Sequence, residues 1–202
     1  MTFEPKSVAI LLFEDVELLD FAGPYEVFSS VHKPPERKLR LMDVVTVAAT
    51  MAPVTCANGL VVQPDHDLEN CPISDILLIP GGAGTRTAVN NPVIMDWLAQ
   101  QAKFAELLTS VCTGSFLLAK LGVLNNKQAT THWAGISSLR KNHPAVNVQE
   151  NVRWTADGNV YTSAGVSAGI DMALHIVQQI YGAEIANETA RWIEYDYWPP
   201  TQ

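Results

Sequence analysis

The chain is short of basic residues, of long apolar runs and of cysteine, and each shortage removes a class of answer. Only 13 Lys and Arg stand against 21 Asp and Glu, a net charge of −8, and no Lys/Arg cluster interrupts that balance. Nucleic acid and anionic membrane surfaces attract proteins through basic patches, so neither is an expected partner. No apolar stretch approaches the roughly 20 residues of a bilayer-spanning helix. The first residues, Met1-Thr2-Phe3-Glu4-Pro5-Lys6, lack the pattern of a secretory signal. There are three cysteines, Cys56, Cys71 and Cys112, an odd number without metal-ligand spacing. That usage predicts reduced thiols in a cytoplasm and neither a disulfide framework nor a metal site.

What is present is an ordinary globular balance. Hydrophobic residues make up 48% and charged residues 17% of 202 residues, enough to bury a substantial core. With no internal repeat or low-complexity segment, residues 1–202 are expected to form one domain. Residues 7–13 and 75–80 are continuous apolar runs of the kind that form strands buried on both faces. Residues 39–49 predict a further strand. Residues 54–63, with Asn58-Gly59 in the middle, predict a hairpin that decorates the core. A second hairpin is expected from residues 151–155 and 159–163 around Ala156-Asp157-Gly158. Helices are expected from Gly23-Pro24 onward, with Pro24 in the first helical position, and over residues 92–103, 134–141, 167–181 and 183–195, before Pro199-Pro200. Residues 33–38 read as a charged, proline-broken surface loop. Strands alternating with helices give an α/β three-layer sandwich around a mostly parallel sheet.

Within that frame one stretch carries chemistry. Leu107-Leu108-Thr109-Ser110-Val111-Cys112-Thr113-Gly114-Ser115-Phe116-Leu117 reads as strand, sharp turn and buried helix, with Cys112 on the turn. A nucleophile there stands at the carboxyl edge of the sheet, where open α/β folds place their sites. It also faces the free N–H groups of the next helix, which favour thiolate over thiol. The arrangement is the cysteine counterpart of the strand-to-helix elbow of serine hydrolases. A cysteine at a strand end also serves as a small core hydrophobe, and the elbow alone does not separate the two roles.

Two further loops converge on the same edge. Gly81-Gly82, after the 75–80 strand, leaves backbone N–H groups open to an anionic centre, together with the N–H of Thr113. The spacing is not that of a dinucleotide-binding fingerprint, and a plain tight turn explains the glycines equally well. Asp20 lies just before the first expected helix. It can cap that helix, or it can hydrogen-bond the Cys112 sulfur with a pKa raised by the like charge. Glu17 is the second carboxylate of that loop. His132, in Thr130-Thr131-His132-Trp133, is a candidate partner for a Cys–His pair but fits a packed strand end better. Trp133 and Trp154 are candidate lining residues, with a core position the plainer expectation for both.

Ser110-Val111-Cys112-Thr113-Gly114, Pro80-Gly81-Gly82 and Leu19-Asp20-Phe21-Ala22-Gly23-Pro24 resemble the ThiJ/PfpI superfamily of glutamine amidotransferase-like proteins, and within it the isonitrile hydratase branch. The likeness continues through Ala129-Thr130-Thr131-His132-Trp133, residues 162–171 and Glu194-Tyr195-Asp196, so it spans nearly the whole chain. It implies a flavodoxin-like core, Cys112 as nucleophile, Asp20 as its acid–base partner and usually a homodimer. It also implies cysteine-dependent hydration of an isonitrile to an N-substituted formamide through a thioimidate, with no cofactor. Thr113 would orient the carboxyl or water, and the Gly81-Gly82 turn and the Thr113 amide would steady developing negative charge. Protease-like members carry histidine after the cysteine. Thr113 cannot protonate a leaving amine, which argues against proteolysis.

Two rivals remain. Relatives acting on reactive carbonyls use a glutamate from the first loop, which would make Glu17 the working group. A similar domain forms the ligand-sensing half of AraC-type regulators; those carry a C-terminal helix-turn-helix region, which has no counterpart before Gln202. A stand-alone thiol sensor based on oxidation of Cys112 is the related non-enzymatic alternative.

Overall fold

The computed structural model describes residues 5–34 and 37–197. Pro35 and Glu36 of the expected surface loop, and Pro199-Pro200, lie outside the described residues. In chain order the elements are β1 (Lys6–Leu11), α1 (Leu18–Ser29), β2 (Met42–Ala48), β3 (Val54–Thr55), β4 (Val61–Val62), β5 (His66–Asp67) and β6 (Ile76–Ile79). There follow α2 (Thr85–Ala88), α3 (Pro92–Gln101), β7 (Leu107–Val111), a 3₁₀ turn at Cys112–Gly114 and α4 (Ser115–Lys120). The chain continues with β8 (Gln128–Ala129), a 3₁₀ turn at Trp133–Gly135, α5 (Ile136–Asn142), β9 (Asn147–Val148), β10 (Trp154–Asp157), β11 (Val160–Ser163), α6 (Ala168–Tyr181) and α7 (Ala183–Trp192).

Seven strands form the central sheet in the order β10-β11-β7-β6-β1-β2-β5. Every pairing in it is parallel except β10 with β11. All four residues of β6 and the last four of β1 are buried, as expected of strands covered on both faces by crossover helices. The chain leaves β1 toward β2 and β5, then returns to β6 on the opposite side of β1. Right-handed crossovers therefore put α1 and α3 on opposite faces of the sheet. The carboxyl ends of β1, β6 and β7 meet at that reversal, where α/β sheets leave a crevice. Helix α6 packs against α1 on one side and α7 on the other. Gly23 makes the α1–α6 approach possible, because a Cβ there would lie 2.8 Å from Ile170 Cγ1, and Gly169 lets α6 close on β7, where a Cβ would lie 2.9 Å from Val111 Cγ2.

Both hairpins form where the turn residues predict them, with Val54 opposite Val62 and Asp157 opposite Val160. His132, expected at a packed strand end, instead precedes the 3₁₀ turn at Trp133–Gly135, three residues beyond β8. The larger difference is α1. It begins at Leu18, six residues ahead of Pro24, which sits inside the helix. Proline there removes one helical hydrogen bond, the one its N–H would give to the Asp20 carbonyl. Asp20 is thereby a first-turn helical residue rather than the end of a loop.

Candidate active site

Cys112 occupies a left-handed backbone conformation (φ 57°) between β7 and α4. A non-glycine residue in that region costs about 1–3 kcal/mol and persists only where its surroundings hold it. Three contacts do so. The Cys112 N–H donates to the Ala164 carbonyl at 3.1 Å, and the Cys112 carbonyl accepts from Thr131 Oγ1 at 2.8 Å and Ser115 Oγ at 3.2 Å. The turn also requires Gly114, where a Cβ would lie 2.0 Å from the Ile79 carbonyl oxygen. The side chain emerges at the floor of a cleft of about 800 Å³.

Asp20 is fully buried and its two carboxyl oxygens are held separately. Gly81 N–H donates to Oδ2 at 2.9 Å, and Val166 N–H donates to Oδ1 at 3.0 Å. Its third partner is the Cys112 side chain. Burial is the main influence on this carboxyl and lifts its pKa to about 6, against the pull of the two backbone N–H donors and the cysteine. The like-charge effect expected from the sequence has the same sign but comes from Glu17 and is the smallest contribution.

Burial likewise pushes the Cys112 thiol up to about 12, reinforced by the Asp20 charge, while the Thr113 amide and hydroxyl pull the other way. The helix terminus does not win: burial and the neighbouring Asp20 charge both favour the thiol over the thiolate. Each group is among the influences on the other, so the two titrate as a coupled pair.

The Gly81-Gly82 turn fits closely under the elbow. A Cβ on Gly81 would lie 2.5 Å from Thr113 N and 2.8 Å from Cys112 Cβ. Both glycine amides are engaged: Gly81 with Asp20, and Gly82 with Thr113 Oγ1 at 3.1 Å. The Thr113 hydroxyl also meets Thr85 Oγ1 at 2.9 Å. In this arrangement the glycine amides hold the carboxyl and the threonine, and the Thr113 amide is the donor turned to the sulfur.

Glu17 and His132 both line the cleft. The His132 Nδ1 accepts from the Ala134 N–H at 3.3 Å and so caps the turn after it. Trp133 is 80% exposed, which corrects the expectation of a core or lining residue. Trp154 is half-buried and stacks on His175 with ring centroids 4.1 Å apart. Val166, Thr131 and Thr85 gave no separate signal in the sequence. Val166 has a left-handed φ of 54°, unusual for a β-branched residue, and that turn aims its N–H at Asp20.

The sequence model of the DJ-1/PfpI family matches residues 6–179. The isonitrile hydratase of Pseudomonas putida is 37% identical over 193 residues, covering 96% of this chain and 80% of that enzyme. The HTH-type transcriptional regulator GbdR of Pseudomonas aeruginosa is 27% identical over 192 residues, and the match spans 51% of the regulator. Among solved structures, a ThiJ/PfpI family protein from Pseudomonas syringae superposes with a TM-score of 0.86 at 30% identity, covering 98% of this chain and 78% of the other. Drosophila melanogaster DJ-1beta shares the fold, with a TM-score of 0.80 at 22% identity over 96% of this chain and all of the other.

Proposed function

The chain belongs to the DJ-1/PfpI family, and from that premise we propose that it is an isonitrile hydratase, converting R–NC and water to R–NH–CHO. The observation that carries this reading is the pairing of Cys112 with a buried Asp20 whose carboxyl titrates near neutrality. The likeness to the Pseudomonas putida enzyme supports it.

The reaction asks for a soft nucleophile and for one group that gives and takes a proton at the same carbon. Asp20 accepts the thiol proton as the sulfur adds to the terminal isonitrile carbon. It then returns that proton to the carbon, leaving the thioimidate R–N=CH–S–Cys112. The carboxylate next deprotonates water, whose oxygen adds to this carbon, and the proton taken from water goes to nitrogen. Collapse breaks the carbon–sulfur bond, the hydroxyl proton returns to the Cys112–Asp20 pair, and the formamide leaves. One water is consumed and nothing is oxidised, so no cofactor is needed. Gly81 and Val166 position the carboxyl, Gly82 positions Thr113, and the Thr113 amide steadies the sulfur as it gains charge.

A reactive-carbonyl activity built on Glu17 draws less support, because the carboxyl that meets the sulfur is Asp20. Thiol sensing draws less still, since oxidation follows thiolate character and burial pushes this thiol's pKa up. The family resemblance supports a homodimer, and the odd cysteine count supports reduced thiols in a cytoplasm.

The test is formamide formation from a simple aryl isonitrile by wild type, Cys112→Ala and Asp20→Asn. Turnover by wild type that is lost in Cys112→Ala and reduced at least about 10²-fold in Asp20→Asn is expected for a general acid–base group. Full activity in Asp20→Asn would move proton transfer to another group. No turnover by wild type would remove the hydratase reading.

A further inference from the structure

Although the protein is acidic overall, the cleft over Cys112 is not. Its lining includes two cations, Arg86 from α2 and Lys120 from α4, while Glu17 is the only carboxylate among the described lining residues. Neither cation has an ion-pair partner among the described residues. Cys112, Phe116 and Lys120 follow one another at four-residue spacing from the elbow along α4, and all three line the cleft. Helical side chains lean toward the helix N-terminus, which brings the Lys120 ammonium back toward the elbow. Its charge is felt at His143, whose ring also meets the edge of Phe116 with centroids 6.3 Å apart. Arg86 of α2 lines the cleft together with Val89 and Asn90, which follow that helix.

The order along the cleft is therefore nucleophile, aromatic surface, cation. We propose that the cleft selects isonitriles bearing an anionic group such as a carboxylate. The electrophilic carbon meets Cys112, the apolar body lies over Phe116, and Arg86 and Lys120 hold the anion. This substrate class rests on the hydratase reading; the anion preference of the cleft does not. A chain of net charge −8 repels anions at long range, so two cations at its reactive cleft without an ion-pair partner among the described residues are placed against the prevailing field.

The experiment compares kcat/KM for 4-isocyanobenzoate with that for its neutral methyl ester, in wild type, Arg86→Gln, Lys120→Gln and the double variant. Wild type is expected to favour the carboxylate, with the preference shrinking as salt is raised. The carboxylate-to-ester ratio is expected to fall about fivefold per cation removed, the effect of one unit charge at about 4 Å in water. A wild-type ratio at or below one, or a ratio unchanged in the double variant, overturns the proposal. Should neither isonitrile turn over, the hydratase reading fails, and the cleft is read separately. Rates of Cys112 alkylation by iodoacetate and iodoacetamide at pH 9, followed on the Cys112 peptide, report the same field on an anion and a neutral probe. A fall in the iodoacetate-to-iodoacetamide ratio in the double variant upholds anion selection, and an unchanged ratio overturns it.

Discussion

At the residue scale the site turns on one proton shared by two buried groups. Asp20 must be ionised to receive the thiol proton, and burial sets its pKa at about 6. Turnover of a neutral isonitrile is therefore expected to fall as pH drops through about 6, an acid limb that a kcat/KM profile will display and that Asp20→Asn will lack. The same shift makes a stability statement. The folded-state pKa lies above the ordinary carboxyl value, so the native state binds this proton more tightly than the unfolded chain does. Asp20's contribution is fully present below about pH 4 and is lost as pH rises through about 6, a difference of about 3 kcal/mol. Urea denaturation of wild type and Asp20→Asn between pH 4 and 7 checks it. The gap between the two proteins should widen toward pH 7, in the direction of a relatively more stable variant.

At the element scale, the carboxyl ends of three parallel strands deliver the site, and glycine lets them meet. Asp20 follows β1, Gly81 follows β6 and Cys112 follows β7. The Gly81 turn passes so near the elbow that a methyl group would overlap Thr113 N and Cys112 Cβ. Gly81→Ala is expected to cost about 1–3 kcal/mol of stability by overpacking. It should lower turnover by more than the fraction unfolded explains, because the displaced turn also carries the N–H that holds Asp20. Urea denaturation and turnover on the same preparation separate the two effects. The sequence reading located both loops but put α1 six residues late. Pro24 is a strong helix-start signal, yet α1 starts six residues earlier and packs against α6.

Over the whole molecule, the sheet is the rigid body on which the cleft is carved. β6 lies between β1 and β7 and joins the two halves of the topology. Leu78, fully buried in its middle, is expected to cost about 2–5 kcal/mol when truncated to Ala. Denaturant titration measures that loss. Provided the variant remains folded at the assay temperature, Cys112 should keep its pH profile, because Leu78 contributes packing rather than a group to the site. Net charge belongs to this scale too: the acidic excess is a property of the surface at large, and the cleft departs from it through Arg86 and Lys120.

The sequence by itself determined the α/β sheet, its hairpins and the three loops of the site. Buried parallel strands must be apolar throughout, tight turns need glycine or asparagine, and a cysteine between a strand and a helix has one place to stand. Several features were decided only by tertiary structure. The protonation of Cys112 depends on burial and on a carboxyl 92 residues away in the chain. Val166 brings its N–H to Asp20 across 146 residues, and the glycine amides serve side chains that local sequence does not identify. Trp133 lies in the open although it is large and apolar. Spacing along the chain fixes local geometry; solvation and long-range partners, which set the chemistry of a thiol and a carboxyl, exist only once the chain has closed around them.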